Sequence, residues 1–216
     1  MIRVRYGLAA AIIGMFAAAP LAPSLFAQAP AFRPVTDLVL ANPDPADWLM
    51  INRTFNQHRF SPLSQINKKN VGQLRVAWTR GLPAGTQETT PIVYRGIIYM
   101  FVPGASVQAI DGTNGDLIWE YQPDYPKGVN PQAARNKNIG IYEDMIYFAA
   151  PDGVLIALDA KTGAVRWETK VDNGGQTAGG MLVADGKVIT SRTCEQSKRE
   201  NCFIAAHDAK TGKELW

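Results

Sequence analysis

Cysteine and histidine are scarce, with two of each in 216 residues. Neither histidine is placed to complete a metal site with Cys194 and Cys202, which argues against a zinc-type set of nitrogen and sulfur ligands. No Gly-x-Gly-x-x-Gly carries a strand into a helix, which disfavours nicotinamide binding. Residues 174–180 are glycine-rich but lack the lysine of a phosphate loop, and they read as a plain loop. There is no Cys-x-x-Cys-His for covalent haem in these residues, although a haem domain further along a longer chain stays open. No block of lysine and arginine suggests nucleic acid; Lys68-Lys69 and Lys198-Arg199 are short solvated pairs. Strong helical patterns are also few, and the most apolar one lies at the extreme N-terminus.

That N-terminal run has the grammar of a secretory signal. Met1-Ile-Arg-Val-Arg5 is basic, Tyr6 to Leu21 is apolar and alanine-rich, and Leu25-Phe-Ala-Gln-Ala29 offers small residues for cleavage. Cleavage is expected after Ala27, giving a signal over residues 1–27. The alternative, a retained anchor, is opposed by a short run broken at Pro20 and Pro23. Cleavage removes Arg3 and Arg5 and no acid, so the net charge falls from +3 to +1. No stable membrane insertion is expected afterwards. An exported chain meets an oxidising compartment, where Cys194 and Cys202 are expected to form a local disulfide. Closing so short a loop would contribute no more than the ~3 kcal/mol of a 15-residue loop. Metal ligation and free thiols are the alternatives.

What is present is a repeat. Ala109-Ile-Asp-Gly-Thr-Asn-Gly-Asp-Leu-Ile-Trp119 returns as Ala157-Leu-Asp-Ala-Lys-Thr-Gly-Ala-Val-Arg-Trp167 and as Ala206-His-Asp-Ala-Lys-Thr-Gly-Lys-Glu-Leu-Trp216. A period of roughly 40–50 residues marks a propeller, a solenoid or a repeat array. Each copy reads strand, tight turn, strand. Asp111, Asp159 and Asp208 are turn residues whose carboxylates accept from backbone N–H groups two or three positions on. Gly115, Gly163 and Gly212 supply the positive φ that the turn needs. Each tryptophan ring is expected to be buried only by packing on a neighbouring unit. His207 lies inside a repeat and reads as structural, and His58 stands without a partner.

Upstream of each copy, residues 91–101, 139–148 and 181–190 are rich in branched and aromatic residues around a breaker, which predicts a hairpin in each. About four strands per unit is the content of one propeller blade. The fold class is therefore all-β, a β-propeller of four-stranded blades carrying tryptophan-docking motifs, with about three blades here. Three blades do not close a ring, and the sequence stops on a motif residue, so a longer protein is expected. Residues 28–66 form a lead-in and residues 67–216 the blades. Within this stretch Pro43 to Leu63 reads as irregular, Asn67 to Asn70 as a turn, and Val71 to Arg80 as the start of a strand.

Arg59-Phe-Ser-Pro-Leu63, Gln65-Ile-Asn67, Asn70-Val71 and Ala77-Trp78, together with the Ala-x-Asp-x-x-Thr-Gly-x-x-x-Trp repeats, give the chain its family likeness. It resembles the start of the pyrroloquinoline quinone (PQQ) dependent alcohol dehydrogenases over about residues 44–216. The resemblance implies an eight-bladed propeller in the full protein, with PQQ near the axis beside Ca²⁺ or a lanthanide. It implies a periplasmic enzyme that oxidises alcohols to aldehydes and passes electrons to a cytochrome c. The metal would act as a Lewis acid and the cofactor would carry the redox step. The family's catalytic aspartate and asparagine metal ligand would lie beyond Trp216.

The resemblance also implies site positions. Glu88, before Thr89-Thr90-Pro91, matches a glutamate in contact with PQQ; a solvated loop acid is the alternative. Asn136-Lys137-Asn138 takes the place of the family's Asn-Arg-Gly, which makes Asn136 and Lys137 cofactor-side candidates. Lys137 keeps the charge of the arginine but not its planar fork. Pro131 and Gln132 stand where the family has a vicinal cysteine pair, so that disulfide is absent. In the third blade Thr177 and Arg192 are cofactor-side candidates, and Glu195 is the candidate metal ligand, with a loop glutamate as the alternative. A competing reading of the whole chain is a non-catalytic propeller, acting as a scaffold or binding module in the cell envelope.

Overall fold

The computed structural model describes residues 32–171, 180–191 and 202–216. Residues 1–31, 172–179 and 192–201 lie outside them. Three antiparallel sheets follow one another along the chain. The first has the order β1 (Ile92–Tyr94), β2 (Ile97–Val102), β3 (Ser106–Asp111) and β4 (Leu117–Tyr121). The second repeats it with β5 (Gly140–Tyr142), β6 (Met145–Ala149), β7 (Val154–Asp159) and β8 (Val165–Lys170). The third contains β9 (Leu182–Ala184), β10 (Lys187–Ser191) and β11 (Ile204–Asp208). There, His207 forms a bridge with Glu214, and Ala206 exchanges backbone hydrogen bonds with Leu215 and Trp216 at the place of a fourth strand. The expected four-stranded propeller blades are thus present.

Local chemistry sets these sheets. The first hairpin turns at Arg95 (φ 50°) and Gly96 (φ 82°), both left-handed, and this primed turn matches the twist of the strands it joins. The repeat turns behave as their sequence predicts. The Asp159 Oδ1 accepts from the N–H groups of Lys161 (3.0 Å) and Thr162 (2.9 Å), and the Asp208 Oδ1 from those of Lys210 (3.1 Å) and Thr211 (2.9 Å). Gly115, Gly163 and Gly212 sit at φ 81°, 73° and 71°.

The tryptophans join one sheet to the next. The Trp119 Nε1 donates to the carbonyl of Ala160 (3.1 Å), and the Trp167 Nε1 to that of Ala209 (3.0 Å). A Cβ built on Gly163 would lie 2.7 Å from the Trp119 ring, and one on Gly212 would lie 2.5 Å from Trp167. A β-bulge precedes each of these two rings, since the register shifts between Ala109 and Ile110 and again between Ala157 and Leu158. The bulge twists the fourth strand at the point where it must aim the ring sideways. Between the first two sheets, Phe148 packs against Phe101 and Tyr121 at centroid separations of 6.2 and 6.0 Å.

The stretch 74–80 differs from its predicted strand. Val71–Gln73 forms a 3-10 turn, and residues 74–80 carry no strand pairing. A strand needs a partner for its ladder, and among the described residues none pairs with this stretch. Trp78 nonetheless docks like the others: its Nε1 donates to the carbonyl of Gly112 (3.1 Å), and a Cβ on Gly115 would lie 2.6 Å from its ring. The predicted turn over Asn67 to Asn70 is present, with the Asn70 N–H donating to the Asn67 carbonyl at 3.1 Å.

The lead-in ties together the tips of the first hairpins of all three sheets. Val35 exchanges two backbone hydrogen bonds with Glu143, and Trp48 does so with Val93. The Asp47 Oδ1 accepts from the Arg95 N–H (2.8 Å). The carboxylate of Asp37, at the start of α1 (Asp37–Ala41), accepts from the Tyr142 hydroxyl (2.8 Å) and the Asp185 N–H (2.6 Å). The chain arrives at each sheet at the opposite ends of the first strands, and there the lead-in residues Met50, Phe55 and Gln57 share a cavity with Asn138 and Met181.

Candidate functional site

The arriving segments run side by side. Thr90 and Asn138 form a parallel bridge, and the Thr90 N–H donates to the Lys137 carbonyl (2.8 Å). The Thr89 hydroxyl donates to the Asn136 carbonyl, and Thr89 is buried. The next sheet repeats the arrangement, with the Asn138 Nδ2 donating to the Met181 carbonyl (2.6 Å). Gly180 sits against the Asn138 side chain with no room for a Cβ, at φ 73°.

This stapling brings three predicted residues to one rim. Glu88 lies just before the paired stretch 89–90, and Asn136 and Lys137 lie on the partner segment. Burial alternates along that segment: Arg135 and Lys137 are exposed, while Asn136 and Asn138 are buried. An extended chain places alternate side chains on opposite faces. The Asn136 Nδ2 donates to the Ala149 carbonyl at 2.6 Å, so this amide group fixes the segment on its sheet. On the other segment, the Gln87 Nε2 donates to the Phe101 carbonyl (2.9 Å), which pins the loop beside Glu88.

Arg135 was not among the predicted site residues. Its Nη1 stands 3.7 Å from the Glu88 Oε1, and the two side chains are 42% and 38% exposed. The signal for it was the alternation Arg135-Asn136-Lys137, which puts two cations on one face. Gln132, at one of the positions of the missing cysteine pair, reaches toward Gly85 and Gly104, and its amide would lie 3.0 and 3.5 Å from a Cβ on each. Thr177, Arg192, Cys194 and Glu195 lie outside the described residues. Among the described residues no cysteine is free.

Among the described residues this rim presents two cations and one carboxylate, open to solvent at the chain-arrival end of the first strands. It fits an anionic group carrying several carboxylates and at least one N–H, which is the chemistry of PQQ. Arg135 and Lys137 would face carboxylates, and Glu88 would accept from the N–H.

Three stacked sheets, each locked to the next by a tryptophan on a glycine turn, define a β-propeller of the quinoprotein type. The sequence profile described as "Glucose/ethanol/alcohol dehydrogenase, beta-propeller domain", a PQQ domain, matches residues 48–216, and the chain belongs to that family. It is 34% identical over 202 residues to the quinohemoprotein alcohol dehydrogenase ADH-IIG of Pseudomonas putida, covering 90% of this chain and 28% of that protein. The solved structure of ADH-IIG superposes with a TM-score of 0.73 at 32% identity, over 86% of this chain and 29% of that one. A europium-containing methanol dehydrogenase gives a TM-score of 0.73 at 27% identity, over 83% and 33% of the two chains. The 1-butanol dehydrogenase (cytochrome c) of Thauera butanivorans is 33% identical over 89 residues, 39% of this chain and 13% of that protein. The chain thus spans less than a third of the length of the first of these relatives.

Proposed function

We propose that this chain is the N-terminal part of a periplasmic quinoprotein that oxidises alcohols to aldehydes with PQQ and a bound metal ion and passes the electrons to a cytochrome c. The observation that carries the reading is the convergence of Glu88 with a two-cation face on the rim of a PQQ-family propeller. When bound, PQQ supplies the two-electron acceptor, a task that no side chain performs. Glu88 and Lys137 hold and orient it, and Asn136 fixes the segment from which Lys137 projects. Thr177 and Arg192 complete the cofactor side from the third blade. Glu195 contributes an oxygen ligand to a hard cation, Ca²⁺ or a lanthanide. Cys194 and Cys202 pair as a local disulfide, as suits export through the N-terminal signal. The names of the relatives support alcohol as substrate, and one of those names specifies cytochrome c.

The test uses the full-length protein expressed in the periplasm and reconstituted with PQQ and either Ca²⁺ or a lanthanide. Dye reduction is followed with a panel of primary alcohols. Turnover that requires both PQQ and metal, and that falls at least tenfold in Glu88→Ala or Lys137→Ala, is the expected result. A folded protein that does not bind PQQ would refute the enzyme reading and leave a scaffold or binding propeller.

A further inference from the structure

We propose that Arg135 is the principal anchor for a carboxylate of the anionic cofactor, a specificity-determining residue alongside Lys137; this rests on the PQQ reading above. Arg135 projects on the same exposed face as Lys137, directly beside Glu88. Its position is fixed from behind: the next residue is stapled through the Thr89 hydroxyl and through its own side chain on Ala149. The guanidinium is therefore presented on a held backbone while its head stays free to bind.

Three features favour Arg135 over Lys137. First, a guanidinium offers a planar fork that grips a carboxylate with two parallel hydrogen bonds, whereas an ammonium acts as a point charge. Second, the 3.7 Å separation from Glu88 is an ion-pair distance, too long for a hydrogen bond. Among the described residues no protein group accepts a hydrogen bond from the Arg135 fork, so its donors remain available to a ligand. Third, an exposed pair of this kind contributes little to folding, so stability does not explain an arginine here. Glu88 holds the fork in place and leaves the rim with a net positive charge, which matches a polyanionic ligand.

The experiment is a titration of full-length apoprotein with PQQ and, in parallel, with PQQ trimethyl ester, which lacks the carboxylate charges. Tryptophan fluorescence quenching reports the affinity. Arg135→Ala should weaken PQQ binding by about tenfold to a hundredfold, the range for losing a charge-assisted hydrogen bond. Arg135→Lys should recover only part of that loss, because charge returns without the fork. Lys137→Ala should cost less than Arg135→Ala. The ester should bind wild type and Arg135→Ala alike. If wild type binds PQQ and Arg135→Ala binds it equally well, or if the variant weakens ester and acid by the same factor, the assignment is overturned. Failure of wild type itself to bind PQQ would overturn the functional reading and this assignment with it. Should Arg135→Ala not fold, the comparison of Arg135→Lys with wild type on acid and ester decides the matter.

Discussion

The clamp between the first two sheets makes a quantitative claim. Gly163 has φ 73°, and a Cβ there would lie 2.7 Å from the Trp119 ring. Gly163→Ala therefore has two costs. Holding an L-residue in left-handed backbone costs roughly 1–2 kcal/mol. Forcing a methyl into a packed ring adds about 1–3 kcal/mol as side chains or backbone shift. The sum is roughly 2–5 kcal/mol. Gly96 and Gly186 are internal controls: their φ values are 82° and 66°, and a Cβ at either meets nothing within 4 Å. Gly96→Ala and Gly186→Ala should show the backbone cost alone. Urea unfolding of the full-length protein, followed by tryptophan fluorescence and circular dichroism, gives the ordering. Hydrogen exchange then localises the loss to β4 and β8. If Gly163→Ala costs no more than the two controls, the ring and the turn are not a clamp, and the account of how one sheet holds the next fails.

Asp159→Ala removes the acceptor for Lys161, Thr162 and the Arg166 guanidinium (2.6 Å), and should cost about 1–3 kcal/mol in urea unfolding. The Asp111 and Asp208 carboxyls are held below their ordinary range mainly by the hydroxyls of Thr113 and Thr211; at Asp159 burial acts the other way, but Arg166 and Thr162 outweigh it. Because the folded pKa values are depressed, this stabilisation is present above the unfolded value of about 3.9 and is lost as pH falls below it. Acid titration of Tm should show the loss in wild type, with a smaller one in Asp159→Ala. His207 is fully buried, both its ring nitrogens lack a partner among the described residues, and burial pushes its pKa down, opposed by Glu214. Neutral His207 therefore favours folding above its unfolded pKa of about 6.5, and that contribution fades as the pH drops through the folded value. Leu158 holds the equivalent position, so His207→Leu should raise stability by about 1 kcal/mol and flatten the slope of Tm between pH 5 and 6.5, roughly the histidine window.

Much of the fold was legible because repetition averages out local ambiguity. A single Asp-x-x-x-Gly turn is weak, but three copies with a tryptophan at the same offset leave few architectures, and Asp159, Gly163 and Trp119 behave as that pattern demands. The bulge that aims Trp119 and Trp167 was not legible, because it is a property of register between strands rather than of either strand alone. Residues 74–80 misled for a related reason. Their apolar character satisfies a strand pattern, yet pairing depends on a neighbouring strand that local sequence does not specify. At the rim, Glu88 and Lys137 were found through family likeness. Arg135 required the observation that segments 40 to 50 residues apart run in parallel, through Thr90 and Asn138.

The same two sheets that Trp119 and Gly163 join also carry Glu88 and Arg135, one on each. The separation of the rim residues is therefore set by a seam that runs from the parallel staple at Thr90 and Asn138 to the docked ring at the far edge. Trp78 on Gly115 joins the segment that precedes β1 to the first sheet and lies outside that seam. Gly115→Ala and Gly163→Ala impose the same kind of clash, at 2.6 and 2.7 Å, in left-handed turns of φ 81° and 73°. Their costs to stability should be similar, while their effects on the rim should differ. Packed interfaces respond to a forced atom by shifting as units. Gly163→Ala should therefore weaken PQQ binding severalfold, on the order of the ~1 kcal/mol lost when a charged hydrogen bond is misaligned, and Gly115→Ala should leave it unchanged. The titration that tests Arg135 measures both variants. Equal affinities in the two would mean that the rim is held by the Thr89, Thr90 and Asn136 staples alone, independently of the tryptophan clamp behind them.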